Sequence, residues 1–123
     1  MASAPASPLR AGSANSPLLP LIAHRRVTHI ELAPEVFDDF DRFFDYIAQH
    51  DPGTAPERIG EIVDAIQILT HNPQIGRPVK GGKRELVIGR ASRGYVALYQ
   101  YVEAMDTAFV LAVRSQREVG FKR

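Results

Sequence analysis

The spacing of apolar side chains changes period several times along this chain, and each change marks an element. From Arg26 to Ala33 (R-V-T-H-I-E-L-A) β-favouring residues alternate with polar ones, which predicts a first strand. Pro34 follows, a residue suited to the first turn of a helix, where its missing N–H is no loss. Over Glu35–His50 the positions Val36, Phe40, Phe43, Phe44 and Ile47 recur at spacings of three and four, the signature of an amphipathic helix. Phe37 is read with Phe40, Phe43 and Phe44 as core. The acids Glu35, Asp38, Asp39 and Asp41 come early in this helix, where the dipole favours negative charge. Asp51-Pro52-Gly53 breaks it. Thr54-Ala55-Pro56-Glu57 has the S/T-x-x-E form of a capping box. The second helix carries Ile59, Ile62, Val63, Ile66 and Leu69 on one face and ends at His71-Asn72-Pro73. So short a break between two helices predicts an antiparallel helical hairpin.

Residues 73–83 hold Pro73, Gly76, Pro78, Gly81 and Gly82 and read as a loop, made basic by Arg77, Lys80 and Lys83. A period of two then returns in three runs, Arg84–Gly89, Tyr95–Val102 and Ala108–Val113. In the middle run Tyr95, Tyr99 and Tyr101 share one face, and Val96, Leu98 and Val102 the other. A strand apolar on both faces is central, and so is the last, which is apolar throughout. The breaks near 90–94 and 103–107 are of hairpin length. The order is β-α-α-β-β-β. It predicts an α+β fold with a helical hairpin packed on one face of a mostly antiparallel, twisted sheet. Phe40, Phe43, Ile47, Ile62, Ile66, Leu69, Leu98 and Leu111 are the expected core.

With 123 residues, a single domain is expected, over 25–123. Residues 1–24, with four prolines, four serines and no periodicity, read as a flexible or loosely attached extension, or as an upstream mis-start. Leu18–Ala23 is too short, and too broken by Pro20, for a secretory signal. Nothing approaches the roughly 20 apolar residues of a membrane-spanning helix. Cysteine is absent, which excludes a disulfide framework and a thiolate zinc site and suits a reducing cytoplasm. His24, His29, His50 and His71 lack ligand spacing, so neither a metal nor a cofactor is expected.

Net charge is only +1, but it is unevenly spread. Residues 31–72 carry ten acids against Arg42 and Arg58, a net −8, whereas residues 73–123 carry a net +6. Either the two halves neutralise each other, or the basic half presents a surface to an anionic partner. Arg84, Arg90, Arg93, Arg114 and Arg117 stand at the ends of the predicted strands. Arg84 and Glu85 also suit an edge strand, where charge blocks aggregation.

The order of elements, together with L-T-H-N-P-Q-I-G-R-P (69–78), R-E-L-V (84–87), G-Y-V-A-L-Y (94–99) and V-L-A-V-R-S-Q-R-E (110–118), resembles the RelE/ParE superfamily. These are toxins of bacterial type II toxin–antitoxin systems, often labelled plasmid stabilisation proteins. The resemblance spans about residues 26–121. It implies a cognate antitoxin partner, a possible toxin–antitoxin hetero-oligomer, and one of two activities. RelE-like members are metal-free ribonucleases acting on messenger RNA at the ribosome. ParE-like members bind and poison DNA gyrase. A third alternative is a nontoxic relative that only binds its antitoxin.

Metal-free RNA cleavage needs a base for the 2′-hydroxyl, cations for the phosphate and an acid for the leaving oxygen. Where the ribonuclease pattern has an arginine after Gly-Tyr, this chain has Val96. Its second-strand lysines give way to Leu86–Gly89, and its terminal tyrosine to Phe121. Arg117 alone matches. The resemblance therefore favours the ParE-like reading, a gyrase inhibitor with no catalytic residues. Its partner-binding set is Arg84, Arg90, Arg93, Tyr95, Arg114 and Arg117. In the nuclease alternative Arg84, Arg93 and Arg117 would carry catalysis. A chain begun at Arg25 is expected to melt within a few degrees of the full chain in a thermal denaturation scan. A large drop in midpoint would show that Leu18, Leu19, Leu21 and Ile22 dock on the domain.

Overall fold

The computed structural model describes residues 27–89 and 93–122. The N-terminal extension and Arg90 lie outside them. The elements are β1 (His29–Leu32), α1 (Pro34–His50), α2 (Ala55–Ile66) with a 3₁₀ turn at Gln67–Thr70, β2 (Arg77–Val79), β3 (Lys83–Ile88), β4 (Tyr95–Val102) and β5 (Thr107–Ser115). The five strands form one sheet in the order β1-β5-β4-β3-β2. β1 runs parallel to β5, and the other neighbours are antiparallel. The α+β class, the helical hairpin and the central places of β4 and β5 are as the sequence predicts.

Each junction follows from its residues. Ala33 keeps an extended backbone and donates its N–H to Val110 O at 2.9 Å, so the β1 ladder continues up to Pro34, where α1 begins. The capping box at Thr54 does not form. Thr54 has a near-helical backbone and donates its hydroxyl to Asp51 O at 3.0 Å, so the side chain closes the inter-helix turn instead of capping α2. At the far end of the sheet, Asp106 takes a left-handed φ of 45°. Its Oδ1 accepts from both Thr28 Oγ1 and Tyr101 Oη at 2.8 Å, which fastens the start of β1 to the β4–β5 turn.

The stretch read as a loop over 73–83 contains a short strand. β2 pairs Arg77 with Glu85 and Val79 with Lys83, and the turn between them places Gly81 at φ 81° and Gly82 at φ 73°, which only glycine adopts freely. β3 is therefore not an edge. The edge on this side is three residues long and holds Pro78, a common way of blunting it. Arg77 pairs with Glu85 at 2.6 Å.

The core lies between the helices and the sheet. It joins Val36, Phe40, Phe43 and Ile47 of α1 and Ile62, Ile66 and Leu69 of the second helical segment to Leu86, Ile88, Tyr95, Ala97, Tyr99, Ala108, Val110 and Val113. Phe37 and Phe44 are not part of it, being 54% and 42% exposed. They stand seven apart on a row one position off the buried one. Leu98 and Leu111 are only half-buried. Leu98 alternates to the face away from the helices. Leu111 is the extra residue of a bulge, since Leu98 pairs with Ala112 and Tyr99 with Val110.

Tyr99 is wholly buried, and its hydroxyl accepts the Gly76 N–H at 2.8 Å. Burial raises its pKa. A Cβ on Gly76 would sit 2.6 Å from the Tyr99 ring and 2.9 Å from Glu85 O. Gly76→Ala should therefore lower stability by about 1–3 kcal/mol through overpacking. Tyr99→Phe should cost about 1–3 kcal/mol by stranding a buried N–H. Urea unfolding measures both, and a Gly76→Ala midpoint equal to that of the parent would mean this close approach does not exist.

Candidate functional site

One end of the sheet gathers the β3–β4 connection, the start of β4, the end of β5 and the C-terminal segment. Tyr95 pairs with Ser115, and Gln116 N–H donates to Gly94 O at 2.9 Å, so the last residues are tied to the hairpin. β1 accompanies β5 only as far as Val110. Beyond that point a side chain takes the strand's place. Asp39 of α1, wholly buried, accepts the Val113 N–H at 2.9 Å through Oδ2 and Arg42 Nη1 at 2.9 Å through Oδ1. Arg42 then forks onto Glu118, with Nε at 2.8 Å from Oε2 and Nη2 at 3.0 Å from Oε1. Glu118 Oε1 also accepts the Ser115 N–H at 2.9 Å. The bonds to Glu118, with those to Asp39, hold Arg42 above its ordinary pKa. Burial acts to raise the Glu118 pKa, but the bonds from Arg42 and the Ser115 amide outweigh it and keep the carboxyl below its usual range.

This clamp forms the back of a cleft of about 240 Å³ between α1 and the C-terminal segment, lined further by Phe43, Tyr46, Tyr95, Ser115 and Arg117. The Phe43 and Tyr95 rings meet at 4.9 Å between centroids. The Arg117 guanidinium lies 4.5 Å from the centre of the Tyr46 ring, on which His50 also stacks at 4.2 Å. Among the described residues no cluster of three or more His, Cys, Asp or Glu side chains could hold a metal. Chemically the cleft offers a cation and hydroxyls over an apolar floor, an arrangement for binding a negatively charged, partly apolar group. A larger hollow of about 430 Å³, between β1 and α2, contains none of the predicted site residues.

The structure divides the predicted set. Tyr95 and Arg117 meet in the cleft. Arg93 is exposed on the adjoining hairpin. Arg114 stands at the same end but on the other face of the sheet, opposite Val96. Its Nη1 reaches the Ser115 and Glu118 carbonyls at 3.3 and 3.2 Å, and its guanidinium lies 5.3 Å from the centre of the Phe121 ring. Arg84 pairs with Tyr99, four residues along β4 from Tyr95, or about 13 Å at the rise of a strand. Its Nη1 donates to Gln74 O at 3.0 Å and Gly76 O at 2.8 Å. Sequence reasoning missed Asp39, Arg42, Tyr46, Ser115 and Glu118. A signal for Asp39 was present: it stands three residues after Val36 and four before Phe43, on the buried row, with an arginine at i+3.

The family model described as the ParE toxin of the type II toxin–antitoxin system parDE matches residues 30–120. The chain belongs to the ParE toxin family. It is a toxin of the type II toxin–antitoxin class. Solved structures share its fold. A chromosomal ParDE toxin–antitoxin system from P. aeruginosa matches with TM-score 0.63 and 19% identity, over 72% of this chain and 96% of that one. The RelBE2 toxin–antitoxin complex from Mycobacterium tuberculosis matches with TM-score 0.55 and 16% identity, over 76% and 95%. A mutant of E. coli toxin RelE in the free state matches with TM-score 0.52 and 13% identity, over 74% and 85%. Comparison with curated proteins found no match. No helix among the described residues is long and apolar enough to cross a membrane.

The clamp should make this ParE-family chain sensitive to acid. A carboxyl with a lowered folded-state pKa stabilises the fold above its unfolded value, about 4.3 for Glu, and that contribution is lost as pH falls through the folded value. Glu118→Gln should be less stable than the parent at pH 7 and should show a shallower loss of stability below pH about 4.3. Urea midpoints across that range measure it. Parallel curves for the two proteins would rule out Glu118 as a source of the acid sensitivity.

Proposed function

We propose that this toxin acts by binding and poisoning DNA gyrase, and that a cognate antitoxin encoded with it neutralises it in the cytoplasm. The carrying observation is the state of the positions that metal-free RNA cleavage would use. Val96 is 2% exposed and packed into the sheet. Phe121, which has no hydroxyl to titrate, lies against the Arg114 guanidinium. Arg84 gives one of its nitrogens to two backbone carbonyls. Arg117 rests on the Tyr46 ring, and the carboxylate that lines its cleft, Glu118, is engaged by Arg42. Such an end of the sheet suits recognition better than catalysis. The match to the ParE toxin family model supports the same reading. The antitoxin follows from the relatives, a ParDE system and a RelBE2 complex. The toxin domain on this reading is residues 25–123.

Two assays on the full chain, run side by side, test the reading. Gyrase supercoiling should be impaired, and messenger RNA on translating ribosomes should stay intact. Arg93→Ala, Arg114→Ala and Arg117→Ala should each weaken the gyrase effect by graded amounts, as at a binding surface with a few dominant positions. Cleavage at fixed codon positions, with gyrase unaffected and activity abolished by one substitution, would replace this function with the ribonuclease one.

A further inference from the structure

The cleft beside α1 holds hydrogen-bonding capacity that the fold does not use. Tyr95 is 6% exposed and lines the cleft, yet its hydroxyl has no hydrogen-bond partner among the described residues. Folded proteins leave few buried polar groups in that condition. Ser115, 7% exposed, accepts the Arg117 N–H on Oγ at 3.2 Å and keeps its own hydroxyl proton uncommitted among the described residues. The Arg117 guanidinium rests on the Tyr46 ring, and its N–H donors form no ion pair or hydrogen bond among them either. Arg42 and Glu118, by contrast, are bound to each other. Unspent donors thus face the cleft, and its carboxylate is already taken.

Size and surroundings narrow the ligand. A volume of about 240 Å³ falls below the about 300–1,000 Å³ typical of small-molecule sites. An apolar cavity of about 150 Å³ admits a benzene. The cleft therefore fits a side chain and its neighbour rather than a cofactor. The Tyr46 ring is already engaged by His50 and Arg117, so it is no free platform for a nucleobase. Asp41 and Asp45 lie on the same helix, exposed, and repel a polyphosphate backbone more than a single carboxylate.

We propose that this cleft docks an acidic segment of a protein partner, with one carboxylate bound by Arg117, Ser115 and Tyr95 and an adjacent aliphatic side chain against the Phe43 ring on the cleft floor. The bidentate match of guanidinium to carboxylate supplies the specificity. The proposal holds for either cellular target, and its readout is binding alone.

The test is fluorescence anisotropy with the full chain and a short labelled peptide alternating Glu and Leu, against its Gln–Leu counterpart and a single-stranded poly-U RNA. The Glu–Leu peptide should bind saturably and more tightly than the Gln–Leu peptide. Arg117→Ala should weaken it about tenfold or more, and Arg117→Lys by less, because the charge stays and the fork is lost. Tyr95→Phe should weaken binding without lowering the melting midpoint, because the hydroxyl has no internal partner to lose. Lys80→Ala, on the β2–β3 turn, should change nothing. Equal binding of the two peptides, or indifference to both Arg117→Ala and Tyr95→Phe in protein that melts normally, would overturn the proposal. So would Arg117-dependent binding of the RNA that the acidic peptide fails to displace.

Discussion

The structure depends on a carboxylate buried where a strand ends. β1 is four residues long and leaves the second half of β5 without a neighbour on one side. Those amides need partners, and a buried N–H left open costs about 1–3 kcal/mol. Asp39 supplies the oxygen to Val113. A buried carboxylate is itself expensive unless paired and fully bonded, and Arg42, one turn along the same helix, pairs with it. Arg42 in turn holds Glu118, and Glu118 holds the Ser115 amide. The β5 edge beyond the end of β1 thus recruits a residue of α1 and a residue of the C-terminal segment. The helix layer, the central strand and the chain end are locked by a single chain of charge-assisted bonds. The cleft exists because this clamp fixes one of its walls.

Much of the fold is legible in the sequence because periodicity responds to burial. Val36, Phe40, Phe43 and Ile47 recur with the helix period, and the β4 and β5 runs are apolar on both faces, as central strands must be. What escaped has physical reasons. Phe37 and Phe44 have the chemistry of core residues but stand one position off the buried row, and composition cannot distinguish 100° of helix rotation. The bulge at Leu111 slips the β5 register by one, which no alternation pattern announces. β2 hid behind Pro78 and the Gly81-Gly82 pair, residues that end strands and also make the tight turn of a hairpin.

The site was legible in part. Arginines at strand ends were the signal, and the structure places Arg93, Arg114 and Arg117 at one end of the sheet, beside Tyr95. Arg84 shares their charge but not their place, because the alternation of β3 and the pull of two carbonyls turn it toward the Gln74–Gly76 backbone. The residues that shape the cleft were not legible, since Asp39 reads equally well as a dipole-facing acid in the first turns of α1. Only the tertiary fact that β1 stops short gives it a different partner.

Under the proposed gyrase-binding function, the same geometry explains how the fold does without catalysis and keeps recognition. Val96 and Phe121 are positions the scaffold fills for packing: the first is buried in the sheet, and the second supports Arg114. A valine in a β-strand and a phenylalanine under a guanidinium are locally favourable. The fold therefore gains nothing from an arginine or a tyrosine there unless chemistry demands one. The proposed binding residues lie outside that constraint. Arg117 and Tyr95 are placed by the clamp and by the β4–β5 register, both of which the fold needs for its own stability. A surface positioned by structural necessity persists whether or not an active site is built upon it, and the basic end of this sheet is such a surface.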